Sequence, residues 1–171
     1  MKTLFILRHA KAEPPRPGEA DFDRSLAARG RTAAVAMGRE FRRLGLAADH
    51  IIASPAARVV ETLAGVSDGY GARMPVDYRD DLYLASPETL IGAVRGADAA
   101  HEMLLIVGHN PGLQLLALQL GSGPLRADIA AKYPTGALVQ ISLPATGWHD
   151  AGTETGRIER FLRPRDLDAA D

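Results

Sequence analysis

The feature that most constrains this chain is a set of short apolar runs rich in strand-forming residues. Met103–Val107 is the clearest, with five apolar residues in a row, and Leu4–Leu7 and His50–Ala53 are similar. Runs of this length predict buried strands, because a core helix would need at least ten residues. Between them the pattern turns helical. From Leu26 to Leu44, Val35, Met37, Phe41 and Leu44 supply an apolar stripe, and Arg39, Glu40, Arg42 and Arg43 lie between them. Gly45 provides a stop.

Three dipeptides, Ser54-Pro55, Ser86-Pro87 and Asn110-Pro111, predict helix starts, since Ser and Asn cap well and Pro suits the first helical position. The last opens a helix over Pro111–Leu120. Ala137–Leu143 and Arg157–Leu162 predict two late strands, paired through a turn near Pro144 and Gly147. Residues 8–24, with Pro14, Pro15, Pro17 and Gly18, predict a loop. The alternation implies an α/β fold: a three-layer α/β/α sandwich around a mostly parallel central sheet. The expected organisation is one catalytic domain over residues 1–165, followed by a short acidic tail over 166–171.

Composition narrows the function. The chain has 171 residues, 46% of them hydrophobic, with 20 basic and 21 acidic residues and no cysteine. Disulfides, thiolate metal sites and cysteine nucleophiles are excluded. The near-neutral balance argues against binding nucleic acid through bulk charge. The apolar start at Thr3–Leu7 ends at Arg8, short of the roughly 7–15 residues of a signal core. No run approaches the roughly 20 apolar residues of a membrane span. The expectation is a cytoplasmic protein with no nucleic-acid or membrane partner, and a monomer, since no predicted helix shows a strong exposed apolar stripe.

Open α/β sheets bind ligands beyond the carboxyl ends of their strands. After Leu7 come Arg8 and His9. After Ala53 come Ser54-Pro55 and, one helical turn on, Arg58. After Val107 come Gly108, His109 and Asn110. Two arginines and two histidines thus meet at one sheet edge. Two guanidiniums suit a phosphoryl dianion, and helix starts add N–H groups. A neutral imidazole is a competent nucleophile toward phosphorus, and a second, protonated one can stabilise the transferring oxygens. A metal pair of His9 and His109 lacks further ligands: there is no HExxH or HxxxH pattern. The dinucleotide and P-loop fingerprints are absent as well. The other histidines, His50, His101 and His149, read as structural.

Leu7-Arg8-His9-Ala10, Ser54-Pro55-Ala56-Ala57-Arg58 with Glu61-Thr62, and Val107-Gly108-His109-Asn110-Pro111-Gly112 together resemble the ordered motifs of the histidine phosphatase superfamily, whose fold is phosphoglycerate mutase-like. The GHNPG form, Asp21-Phe22-Asp23-Arg24-Ser25-Leu26 and Leu82-Tyr83-Leu84-Ala85-Ser86-Pro87 resemble its SixA-type branch of phosphohistidine phosphatases. Ser25 departs from the Pro common there. The resemblance implies that His9 takes the phosphoryl group, that Arg8, Arg58 and His109 hold its oxygens with Asn110 beside them, and that no metal or other cofactor takes part. The implied partner is a phosphorylated protein, of histidine-phosphotransfer or phosphotransferase type, or a small phosphorylated substrate.

Larger superfamily members carry an acidic general acid between the first arginine helix and the second histidine. Asp81 and Glu88 are the candidates in that interval, along with Asp80, although Glu88 also reads as dipole compensation in a first helical turn. A site without a strong acid favours leaving groups that need no proton, such as imidazole over an alkoxide. The alternatives are a phosphatase of small esters or anhydrides using the same residues, and a phosphate-binding module without turnover. The short interval from Arg58 to Met103 predicts an open site with no inserted roof.

Overall fold

The computed structural model describes residues 1–167. Seven strands form one sheet: β1 (Lys2–Arg8), β2 (His50–Ala53), β3 (Asp77–Tyr78), β4 (Met103–Gly108), β5 (Gly121–Ser122), β6 (Leu138–Leu143) and β7 (Gly156–Leu162). Their order is β3-β2-β4-β1-β6-β7-β5. Strand β6 runs antiparallel to both neighbours, and the other pairings are parallel. The helices are α1 (Ala28–Arg43), α2 (Ala57–Tyr70), α3 (Pro87–Arg95), α4 (Gly112–Leu120), α5 (Arg126–Ala131) and α6 (Pro164–Leu167).

The apolar strands are buried on both faces. Leu4, Ile6, Leu104 and Ile106 face a core completed by α3, α4 and Trp148. Phe5, Leu7, Leu105 and Val107 face a second core under α1 and α2. This is the expected three-layer arrangement, and period-2 alternation with both faces covered explains the unbroken apolar runs. Helices α1 and α2 approach backbone to backbone. A Cβ added at Gly38 would lie 2.1 Å from the Val66 carbonyl oxygen, and one at Gly69 would lie 2.0 Å from that of Val35.

Several local expectations change. Ser86 caps as expected, its hydroxyl accepting from Thr89 N, and the Asn110 side-chain oxygen accepts from Gln114 N in the first turn of α4. Helix α2 begins at Ala57, with Ala56 in the cap position and no side-chain cap; the Ser54 hydroxyl accepts from Ala56 N at 3.3 Å, one residue short of the helix, and also meets His109. Helix α4 begins at Gly112 rather than Pro111. Strands β3 and β5 and helix α5 carry too few apolar residues to show in the pattern. Of the expected tail, Asp166 and Leu167 end α6: Asp166 pairs with Arg163 at 2.9 Å and Leu167 packs on the second core. Residues 168–171 lie outside those described.

Candidate active site

Strand β1 delivers Arg8 and His9, β4 delivers His109, and the start of α2 delivers Arg58. The register explains the meeting: Arg8 lies opposite Gly108, and the His9 amide donates to the Gly108 carbonyl at 3.1 Å. The two imidazoles stand with centroids 5.4 Å apart, tilted by 55°. His9, Arg58 and His109 are 8%, 3% and 3% exposed, so the cluster is almost wholly withdrawn from water.

The rings hold opposite tautomers. The Nδ1 of His9 lies 2.7 Å from the Ala10 carbonyl oxygen. A carbonyl only accepts, so Nδ1 carries the proton and Nε2 keeps its lone pair. The Nδ1 of His109 lies 3.3 Å from an Arg58 Nη2. A guanidinium only donates, so this Nδ1 is the acceptor, and Nε2–H donates to the Ser54 hydroxyl at 2.7 Å. Both rings are neutral at pH 7. Burial, reinforced by the neighbouring Arg58 and Arg8, pushes His9 down to about 4 despite its carbonyl contact. Burial and then Arg58 push His109 down to about 3.

The arginines are held in different ways. Arg8 donates through Nη1 to the Tyr133 carbonyl at 2.9 Å. Its Nε is buried with no partner among the described residues. Arg58 donates through Nη1 to the Asp21 carbonyl at 2.7 Å and through Nη2 to the Asp21 carboxylate at 3.0 Å. Asp21 also receives the Tyr83 hydroxyl at 2.5 Å and Arg24 at 2.8 Å. Tyr83 and Arg24, followed by Arg58, hold the Asp21 carboxyl well below its usual range. It is therefore ionised and has no proton to give.

Thr62 ties these parts together: its hydroxyl donates to the Arg58 carbonyl at 2.6 Å and accepts from Ala10 N at 2.9 Å. Glu61 accepts from Leu26 N at 2.6 Å, fastening the far end of the 10–26 loop. Both effects come from a single turn of α2.

Other expected site residues have partners of their own. Asn110, next to His109, donates through its amide to the Tyr133 carbonyl at 3.2 Å, and its oxygen accepts from Gln114 N. It therefore anchors the acceptor that positions Arg8. Asp81 forms a two-pronged pair with Arg79 at 3.1 and 2.8 Å, which lowers its pKa and leaves it without a proton to donate. Glu88 is exposed in the first turn of α3. Asp21 and Ser54 are the residues whose part in the site the sequence did not reveal. Between Arg58 and Met103 the chain holds α2, β3, a short 3-10 turn and α3. Among the described residues, no three His, Cys, Asp or Glu side chains converge as metal ligands, and no helix is long and apolar enough to cross a membrane.

A family model of the histidine phosphatase superfamily (branch 1) matches residues 4–83. An uncharacterized protein of Mycobacterium leprae is 32% identical over 166 residues, covering 93% of this chain and 100% of that one. The crystal structure of a protein assigned as SixA from Agrobacterium tumefaciens is similar with a TM-score of 0.81 at 28% identity, covering 95% of this chain and 98% of the other. A second SixA assignment, from Nakamurella multipartitia, gives 0.82 at 26%, covering 95% and 96%. The motifs, the fold and these likenesses agree, and the chain belongs to the histidine phosphatase superfamily, in its SixA-type branch.

Proposed function

We propose that this phosphatase removes the phosphoryl group from phosphohistidine on a protein, through a phosphohistidine formed on His9. The observation that carries this reading is the pinned tautomer of His9: Nδ1–H is spent on Ala10, so the buried, neutral ring has its lone pair on Nε2. Nε2 attacks phosphorus as the P–N bond to the substrate ring breaks; that ring, carrying a proton on its other nitrogen, takes the electron pair and leaves as neutral imidazole, with no proton drawn from the enzyme. Water then attacks the phosphoryl on His9, releasing phosphate and regenerating the neutral ring. Arg8 has a buried Nε–H in need of an acceptor, which a phosphoryl oxygen would supply. A dianion beside Arg58 competes for the guanidinium that now faces His109. That frees Nδ1 of His109 and raises its proton affinity, so the imidazolium can donate to the phosphoryl oxygens.

Among the described residues, the carboxylates tied to arginine near the cluster hold no proton, which favours a leaving group that takes none from the enzyme. Asp21 and Asp81 are both tied to arginine and ionised, while an alkoxide would demand a proton. The name phosphohistidine phosphatase carried by both SixA structures supports the same choice. We place the reaction, without metal or cofactor, in the cytoplasm, on a monomeric catalytic domain spanning residues 1–165. The test is hydrolysis of a phosphohistidine protein and of p-nitrophenyl phosphate by wild type and His9→Ala, in EDTA. Metal-independent turnover by wild type alone is expected. A sugar phosphate hydrolysed with a kcat/KM equal to that of phosphohistidine would overturn the substrate assignment.

A further inference from the structure

Beside the nucleophile runs a groove of about 880 Å³. It starts at Lys11, two residues beyond His9, and passes Lys132, the neighbour of the residue whose carbonyl holds Arg8. It continues along the first turn of α1 at Arg29 and reaches α6 at Arg165. Its floor of alanines and prolines is apolar, and its rim is cationic. Lys11, Arg29 and Lys132 are exposed and have no ion-pair partner within 4 Å among the described residues. Asp128 is the one carboxylate among the lining side chains. The amino end of α1, which also lines the groove, has no acidic residue in its first turn and no side-chain cap, so its dipole adds positive potential. A chain with a net charge of −1 has thus gathered surplus positive charge beside its reactive centre.

We propose that this groove docks an acidic segment of the phosphorylated protein, with carboxylates on the cationic rim and apolar side chains between them on the floor. The inference rests on the phosphohistidine reading above and adds what that reading lacks, the chemistry by which a substrate is selected. At about 880 Å³ the groove is too large for a lone phosphate to fill, and its apolar floor suits a peptide better than a polyanion without apolar groups. Opposite charge at a rim acts on encounter and selectivity and weakens with salt.

Two synthetic peptides of equal length test it, with one phosphohistidine flanked by glutamate and leucine or by lysine and leucine. For wild type at low salt, kcat/KM should favour the acidic peptide by about tenfold or more, and 0.5 M salt should erase the preference. Arg29→Glu with Lys132→Glu should erase or invert it, while p-nitrophenyl phosphate turnover stays within about twofold. Equal use of both peptides by wild type, or a preference untouched by the double variant, overturns the groove. So does loss of self-association in the double variant, which would give the groove to a second copy. If wild type hydrolyses p-nitrophenyl phosphate but neither peptide, the phosphohistidine reading fails separately. Binding of a glutamate–leucine copolymer then decides the groove: binding lost in the double variant sustains it, and no binding, or binding that the double variant keeps, overturns it.

Discussion

The sheet carries a histidine pair at each end. At the carboxyl ends of its parallel strands, His9 and His109 are tilted, buried and wrapped by guanidinium groups. At the amino ends, His50 and His101 stack at 4.5 Å with planes 8° apart, partly open to water, with Asp49 3.6 Å from His101. Ring proximity is the same in kind, so proximity is not what makes a site. The reactive edge has neighbours that assign each proton: a carbonyl behind one ring, and a guanidinium and a hydroxyl around the other. The opposite edge has a stacked pair and a carboxylate engaged by the Glu102 and Met103 amides, with nothing that leaves one lone pair exposed to a substrate.

Mutation should separate the two edges. His9→Ala should abolish turnover of both phosphohistidine and p-nitrophenyl phosphate, because no other described side chain offers the same poised lone pair. Arg58→Ala should follow, costing about 2–4 kcal/mol in kcat/KM as a charge-assisted contact is lost from the transition state. Asp21→Asn should cost less, about tenfold, because the Asp21 backbone carbonyl still holds Arg58. Steady-state kinetics should place that loss mainly in kcat; an undiminished kcat would deny Asp21 its orienting role.

Acid should act on the buried pair specifically. The folded-state pKa values of His9 and His109, about 4 and about 3, lie below the unfolded value near 6.5. Between pH 6.5 and 4 the unfolded chain therefore binds protons that the native chain refuses, and stability falls as pH falls. Thermal denaturation from pH 7 to 5 should show a smaller drop in Tm for a His9→Gln, His109→Gln double variant than for wild type. The smallest effect belongs to the opposite edge: His50→Ala with His101→Ala should leave turnover within about twofold of wild type. A large loss there would mean that the two edges are coupled through the sheet.

Much of this site was legible because strands place residues by position. Once Leu4–Leu7 and Met103–Val107 are parallel neighbours, the residues that follow them must converge. Arg58 follows from the strand–turn–helix step after Ala53. Hydrogen-bond direction was not legible, since no spacing says which nitrogen of His9 meets a carbonyl. Ser-Pro reads as a helix cap, and nothing in that dipeptide says that the Ser54 hydroxyl, besides accepting from Ala56 N, also receives His109. Asp21 lay in a loop rich in Pro and Gly, 37 residues from Arg58 along the chain, where periodicity carries no information. The acidic candidates Asp81 and Glu88 were chosen by interval alone, and an interval does not report whether a carboxylate is already paired.

The close seating of α1 on α2 makes the proposed catalytic edge vulnerable from behind. Gly38 and Gly69 leave no room for a methyl group, and α2 carries both Arg58 and Thr62. An alanine at either glycine would act as a wedge, tilting the helix and carrying the clamp away from His9. Loss-of-function substitutions should then appear along a seam that never meets substrate, and a screen for inactive variants would map that seam as readily as the site itself.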